Sequence, residues 1–91
     1  MAFVVLYHSA VKETDLPLLD SKTKSRLKNE IESRLITAPH QFGEPLRRNL
    51  KGYWKLRVGD YRVVFKISGV EVLVLAIIHR KDVYEKILKR V

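Results

Sequence analysis

Two dipeptides, Gly59-Asp60 and Ser68-Gly69, punctuate a run of β-forming residues between Gly52 and Tyr84 (GYWKLRVGDYRVVFKISGVEVLVLAIIHRKDVY). Two-residue loops containing glycine between such runs mark tight hairpins. The stretch therefore predicts three consecutive antiparallel strands, and the loops also set their register. With Val58 opposite Tyr61, the first hairpin pairs Arg57 with Arg62, Leu56 with Val63 and Trp54 with Phe65. With Ile67 opposite Val70, the second hairpin carries the count into a third strand ending at His79.

Side chains alternate between the faces of a strand. Trp54, Leu56, Val58, Tyr61, Val63 and Phe65 then share one face, joined by Val70, Val72, Val74, Ala76 and Ile78. The other face receives Lys55, Arg57, Arg62, Val64 and Lys66, with Glu71, Leu73, Leu75, Ile77 and His79. Arg57 and Arg62 come out directly cross-strand, where like charges cost stability. An anion between them would relieve that cost. Solvated arginines whose stems cover apolar neighbours are the simpler alternative. A one-residue slip would reverse every assignment.

The 91 residues, 46% of them hydrophobic, suit a single small domain over 1–91. The chain has no cysteine, and His8, His40 and His79 lack metal-ligand spacing, so no disulfide, metal or other cofactor is expected. No apolar run approaches the roughly 20 residues that span a bilayer. Phe3 to Tyr7 reads as a buried first strand rather than a signal peptide, which points to a cytoplasmic protein without a membrane partner. A formal net charge of +8 favours a polyanion or an acidic protein, with nucleic acid the first choice.

Ser9 can cap a short helix running to about Leu16, where Pro17 breaks it. Asp20 or Ser21 can start a second helix, ending near Thr37, whose Leu27, Ile31 and Leu35 form an apolar stripe. Glu30 and Arg34 have the favourable i,i+4 order on its charged surface. His40 to Lys51, with the basic pair Arg47-Arg48, reads as a loop holding a short strand near Leu46. Asp82 can cap a last helix with Val83, Ile87, Leu88 and Val91 inward and Lys86, Lys89 and Arg90 outward. The expected fold is α+β, a small antiparallel sheet with two N-terminal helices and a short C-terminal helix, in the order β-α-α-β-β-β-α.

The candidate site collects Arg57, Arg62, His79, Arg80, Lys81 and Tyr84, with Lys51 and Lys55 on the approach and Glu44 nearby. No hydroxyl is paired with a base, no glycine-rich phosphate cradle is present and no cluster of acidic metal ligands occurs. Guanidinium and ammonium groups suit a phosphate whose charge rises during reaction. The imidazole, the phenol and the carboxylate can move protons. Such a set could cleave RNA without a metal, by attack of a 2′-hydroxyl on the adjacent phosphate, with an aromatic ring stacked on a base. For Tyr84 the plainer role is core packing beside Ile87 and Leu88, and for Glu44 an ordinary loop carboxylate.

The run LKGYWKLRVGDYRVVFKI followed by HRKDVY resembles the second half of the RelE/ParE superfamily, toxins of type II toxin–antitoxin pairs. The resemblance implies a RelE-like fold and, in its mRNA-cleaving branch, the following roles. Arg62 contacts the scissile phosphate, Arg57 and Lys55 line the site, Arg80 acts on the leaving group, and Tyr84 stacks on or orients the substrate. Tyr84 follows Arg80 more closely than its counterpart does in RelE. One RelE lysine falls on Tyr53, so Lys51 or Lys55 takes its place, with Lys81 as a further RNA contact. EPLRRNLKGYW resembles the YoeB form, which makes Glu44 the general base and His79 a loose counterpart of its acidic histidine. The implied partners are a cognate antitoxin, mRNA and the ribosome. A ParE-type toxin that poisons DNA gyrase without catalysis is the alternative, and an inactive RNA- or antitoxin-binding relative is a third.

Overall fold

The computed structural model describes residues 2–47 and 50–90. Arg48, expected in a loop, and Val91, expected on the inner side of the last helix, lie outside the described residues. The chain opens with β1 (Val4–Tyr7), followed by a π-helical turn (Val11–Asp15) and a 3-10 turn (Leu16–Leu18). Helix α1 (Ser21–Leu35) and the short α2 (Pro39–Phe42) lead to β2 (Glu44–Pro45). The meander β3 (Tyr53–Val58), β4 (Tyr61–Ser68) and β5 (Glu71–His79) follows, and α3 (Val83–Arg90) ends the described chain. The sheet order is β1-β5-β4-β3-β2. β1 runs parallel to β5 and the other neighbours are antiparallel, so the sheet is mixed rather than purely antiparallel. Among the described residues no helix is long and apolar enough to cross a membrane.

The first hairpin has the expected register, Arg57 opposite Arg62 included. The second differs. Ser68 pairs with Glu71, so the loop is Gly69-Val70 and Ile67 faces Val72 rather than Val70. In both hairpins glycine takes the first loop position with a left-handed φ, +58° at Gly59 and +60° at Gly69, where a side chain would be strained. Because the shift from Val70 to Val72 is even, Val72 and Val74 keep the faces expected of them.

A bulge then reverses the rest of β5. Val64 faces Ala76 while Phe65 faces Val74, which leaves Leu75 as the extra residue. Beyond it Ala76 and Ile78 turn to the basic face, and Ile77 and His79 turn to the opposite one. These four assignments are corrections, and their common cause is the single unpaired residue.

Two cores result. On one face Leu27, Ile31 and Leu35 of α1 and Val11 of the π turn pack on Leu56, Val63, Phe65, Val72 and Val74. On the other, Val83 and Ile87 of α3 and Leu46 and Leu50 cover Val64, Leu75, Ala76 and Ile78. Full burial of each such side chain contributes about 1.5–3 kcal/mol. α1 starts as expected, with the Asp20 carboxylate accepting the Thr23 N–H at 2.7 Å. The Thr23 side chain first, and then this backbone bond, hold the Asp20 carboxyl below its usual pKa.

Several local expectations change. The Ala10 N–H donates to His8 Nδ1, so His8 rather than Ser9 receives the first free donor. Thr37-Ala38-Pro39 is expected to end the preceding helix and His40 to start a loop, but Pro39 opens a short helix that includes His40, because its missing N–H is no loss in a first turn. β1 is an edge strand, not a buried one, with Val4 51% and Leu6 43% exposed. Leu88 is exposed, and Arg90 turns inward onto Asp15.

Gly43 lies where a Cβ would stand 2.6 Å from Phe65 Cζ and 2.9 Å from the Pro39 carbonyl oxygen. Gly43→Ala should therefore lower unfolding stability by about 1–3 kcal/mol through overpacking, measured by urea denaturation.

Candidate functional site

The basic face of β3 and β4 is a ladder of cross-strand pairs. Arg57 faces Arg62, Lys55 faces Val64 and Tyr53 faces Lys66. On the outer side, Glu44 of β2 faces Lys55. The ladder exists because every second residue of the hairpin is apolar and buried in the first core, which directs the intervening cations outward. The Lys66 ammonium stands 5.7 Å from the Tyr53 ring centroid, adding an aromatic surface at the far end.

Arg62 is the best held of these groups. Its Nη1 donates to the carbonyls of Gly59 (3.0 Å) and Tyr61 (2.9 Å), folding the guanidinium over the hairpin loop. Among the described residues no further hydrogen bond engages its fork. Its pKa is held below the ordinary guanidinium value, first by desolvation and then by Arg57 and Arg80, while Asp60 and Glu44 pull the other way. Arg57, Arg80, Asp60 and Glu44 thus all lie within electrostatic reach of one guanidinium. An anion entering here would remove the repulsion among the arginines, so the site is charged before any ligand arrives.

Arg80 is anchored from the turn after β5. Its N–H donates to the Asp60 carbonyl at 2.8 Å, and its Nε lies 3.8 Å from Asp60 Oδ1. Lys81 and Lys51 are exposed on the flanking turns. Tyr84, in the first turn of α3, is half-buried against the second core, and its hydroxyl accepts the Arg47 N–H at 3.3 Å. That bond ties α3 to the segment between β2 and β3.

His79 does not join this group. It faces Tyr61 across the β4–β5 ladder, with ring centroids 5.7 Å apart, on the opposite face of the sheet from Arg57 and Arg62. Its Nδ1 accepts the Lys81 N–H. The sequence reading missed Asp60 as the partner of Arg80, because that ion pair crosses two turns. Lys66 lies on the basic face as expected, but neither it nor its cross-strand partner Tyr53 was among the expected site residues.

Of the two arginines, Arg57 is exposed and Arg62 half-buried. A groove of about 290 Å³ lies on the other face, between the N-terminal turns and α1, lined by Tyr7, Leu16, Leu27, Ile31 and Ile77.

Comparison with known proteins agrees with this architecture. The family model described as ParE toxin of type II toxin-antitoxin system, parDE, matches residues 5–84. Toxin RelE of Mycobacterium tuberculosis is 38% identical over 65 residues, covering 68% of this chain and 67% of the relative. The toxin–antitoxin complex RelBE2 of the same organism superposes with a TM-score of 0.81 at 27% identity, over 90% of this chain and 95% of that one. A mutant E. coli toxin RelE in complex with an antitoxin RelBc peptide superposes with a TM-score of 0.64 at 26% identity, over 100% and 99% of the two chains. A mixed five-stranded sheet carrying a cationic ladder, matched to that family model over most of its length, belongs to the ParE toxin family of type II toxin–antitoxin systems, within the RelE/ParE superfamily.

Proposed function

We propose that this chain is the toxin of a type II pair that cuts mRNA on the ribosome, with no metal in the reaction. The observation that carries the reading is the Arg57–Arg62 pair, opposed across β3 and β4 with Arg80 in reach. The likeness to Toxin RelE supports RNA as the substrate. So does the presence of a carboxylate and a lysine, Glu44 and Lys55, facing each other beside the arginines.

In this mechanism Glu44, or a lysine in its neutral form, takes the proton of a ribose 2′-hydroxyl. The 2′ oxygen bonds to the adjacent phosphorus as the bond to the 5′ oxygen breaks, leaving a 2′,3′-cyclic phosphate. Arg62 and Arg57 hold the negative charge that grows on the non-bridging oxygens. Arg80 donates to the departing 5′ oxygen, which ends as a hydroxyl. His79 has no part, since it stands across the sheet. Tyr84 borders the site from α3 and offers its exposed edge to a base. Lys51, Lys55 and Lys81 contact flanking phosphates.

The two structural relatives are complexes with antitoxins, and a chain of net charge +8 fits an acidic antitoxin that covers the arginines. The ParE description of the family model favours a second reading, a non-catalytic toxin that binds DNA gyrase. Mapping RNA 5′ ends after induced expression separates the two. New ends within translated regions belong to the nuclease, whereas a DNA-damage response without such ends belongs to the gyrase binder.

Arg62→Ala should lower cleavage by about 100-fold or more and abolish growth arrest, with an unchanged circular dichroism spectrum. Arg57→Thr should separate stability from binding. It removes a like-charge pair, so unfolding stability at low salt should rise by about 0.2–1 kcal/mol. Its affinity for single-stranded RNA should fall and lose part of its salt dependence, measured by titration from low to physiological salt.

A further inference from the structure

Among the described residues Asp15 is the one charged side chain in the buried interior, 7% exposed. Its Oδ2 accepts the Ile77 N–H at 2.9 Å and Arg90 Nη1 at 2.7 Å, and its Oδ1 accepts Arg90 Nη2 at 3.1 Å. Arg90 Nη1 also donates to the Leu75 carbonyl at 3.1 Å. The setting explains the network. β1 stops at Tyr7, opposite Val74, and the His8 N–H to the Val74 carbonyl is the last backbone bond on that side. Past this point the outer edge of β5 has lost its neighbouring strand at the very place where Leu75 bulges. The Asp15 carboxylate and the Arg90 guanidinium stand in for the missing strand, one accepting from β5 and the other donating to it.

The clamp also reaches the basic face through α3. Val83, Ile87 and Arg90 follow at i, i+4 and i+7, on one side of the helix. The first two are buried in the second core. In the first turn Tyr84 accepts the Arg47 N–H. α3 is thus fixed at its far end by Asp15 and at its near end by Arg47.

We infer that Asp15 and Arg90 are positioning residues of the proposed nuclease site: through α3 they hold Tyr84, and with it Arg47 just beyond Glu44, in register with the arginine ladder. The inference rests on the RNA-cleaving reading for its effect on rate, though not for its effect on structure. Arg57, Arg62 and Lys55 belong to the hairpin and do not depend on α3. Loss of the clamp therefore disturbs alignment and leaves most of the charge that binds RNA in place.

The test uses the full chain with Arg90→Met, which keeps the stem and removes the charge. Amide exchange at Arg47 should quicken about tenfold, and turnover on ribosome-bound mRNA should fall about tenfold with KM within about twofold. Arg90→Lys should recover part of both effects. Tyr84→Phe alone should free the Arg47 amide, and adding Arg90→Met should then change its exchange little further. If Arg90→Met does not fold with Asp15 left unpaired, the Asp15→Leu/Arg90→Met double variant removes both charges together and is read the same way. A folded variant with wild-type Arg47 exchange, or with exchange effects that add independently to those of Tyr84→Phe, overturns the positioning role. Failure of the wild-type protein to cut RNA would instead sink the nuclease reading, and the Arg47 exchange would still decide the clamp.

Discussion

Two guanidinium groups sit against each other across β3 and β4 because the buried face of the same hairpin leaves them nowhere else to go. Leu56 and Val63 are fully buried between the arginines and the rest of the hairpin register. A slip that separated the arginines would turn these side chains outward, at about 1.5–3 kcal/mol each. Repulsion between cross-strand like charges is smaller, about 0.2–1 kcal/mol. The apolar term wins, so the repulsion is retained in the folded protein and remains available to be relieved by a bound anion. The repulsion at the proposed site is in this sense a property of the core beneath it.

The single extra residue in β5 decides what accompanies the arginines. Without it His79 would share their face and an imidazole would complete the constellation. With it, small and branched apolar groups, Ala76 and Ile78, occupy that side and give α3 a surface to pack on. The basic face consequently has two zones, the cations of β3 and β4 and a covered apolar floor that runs from Val64 into β5. Tyr84 packs against the second of these.

The hairpin glycines, the alternating pattern of β3 and β4 and the stripe of α1 were all legible, because each follows from a local rule applied to a strongly patterned segment. The bulge was not. Leu75, Ala76, Ile77 and Ile78 are all apolar, so either parity buries them equally well and the pattern carries no sign of the reversal. Ser68-Gly69 and Gly69-Val70 are comparable as two-residue loops, and only strand pairing chooses between them. Arg90 reads as a solvent-facing cation by composition. Its inward turn depends on Asp15 and on a strand that ends early, neither of which is visible along the helix. The family resemblance pointed to the correct scaffold, but a shared scaffold does not place an imidazole, and the face expected of His79 did not survive the register.

The pairing of Asp15 with Arg90 spans 75 positions of the chain. During synthesis at roughly 5–20 residues per second, the carboxylate precedes its counter-charge by about 4–15 s. Until then the N-terminal turns carry an acid that cannot be buried without loss, and the outer edge of β5 stays open when that strand first emerges. Closure of the sheet is therefore a late event, completed only after the final helix has left the ribosome. A polypeptide still being translated would hold its arginine ladder without the wall that borders it.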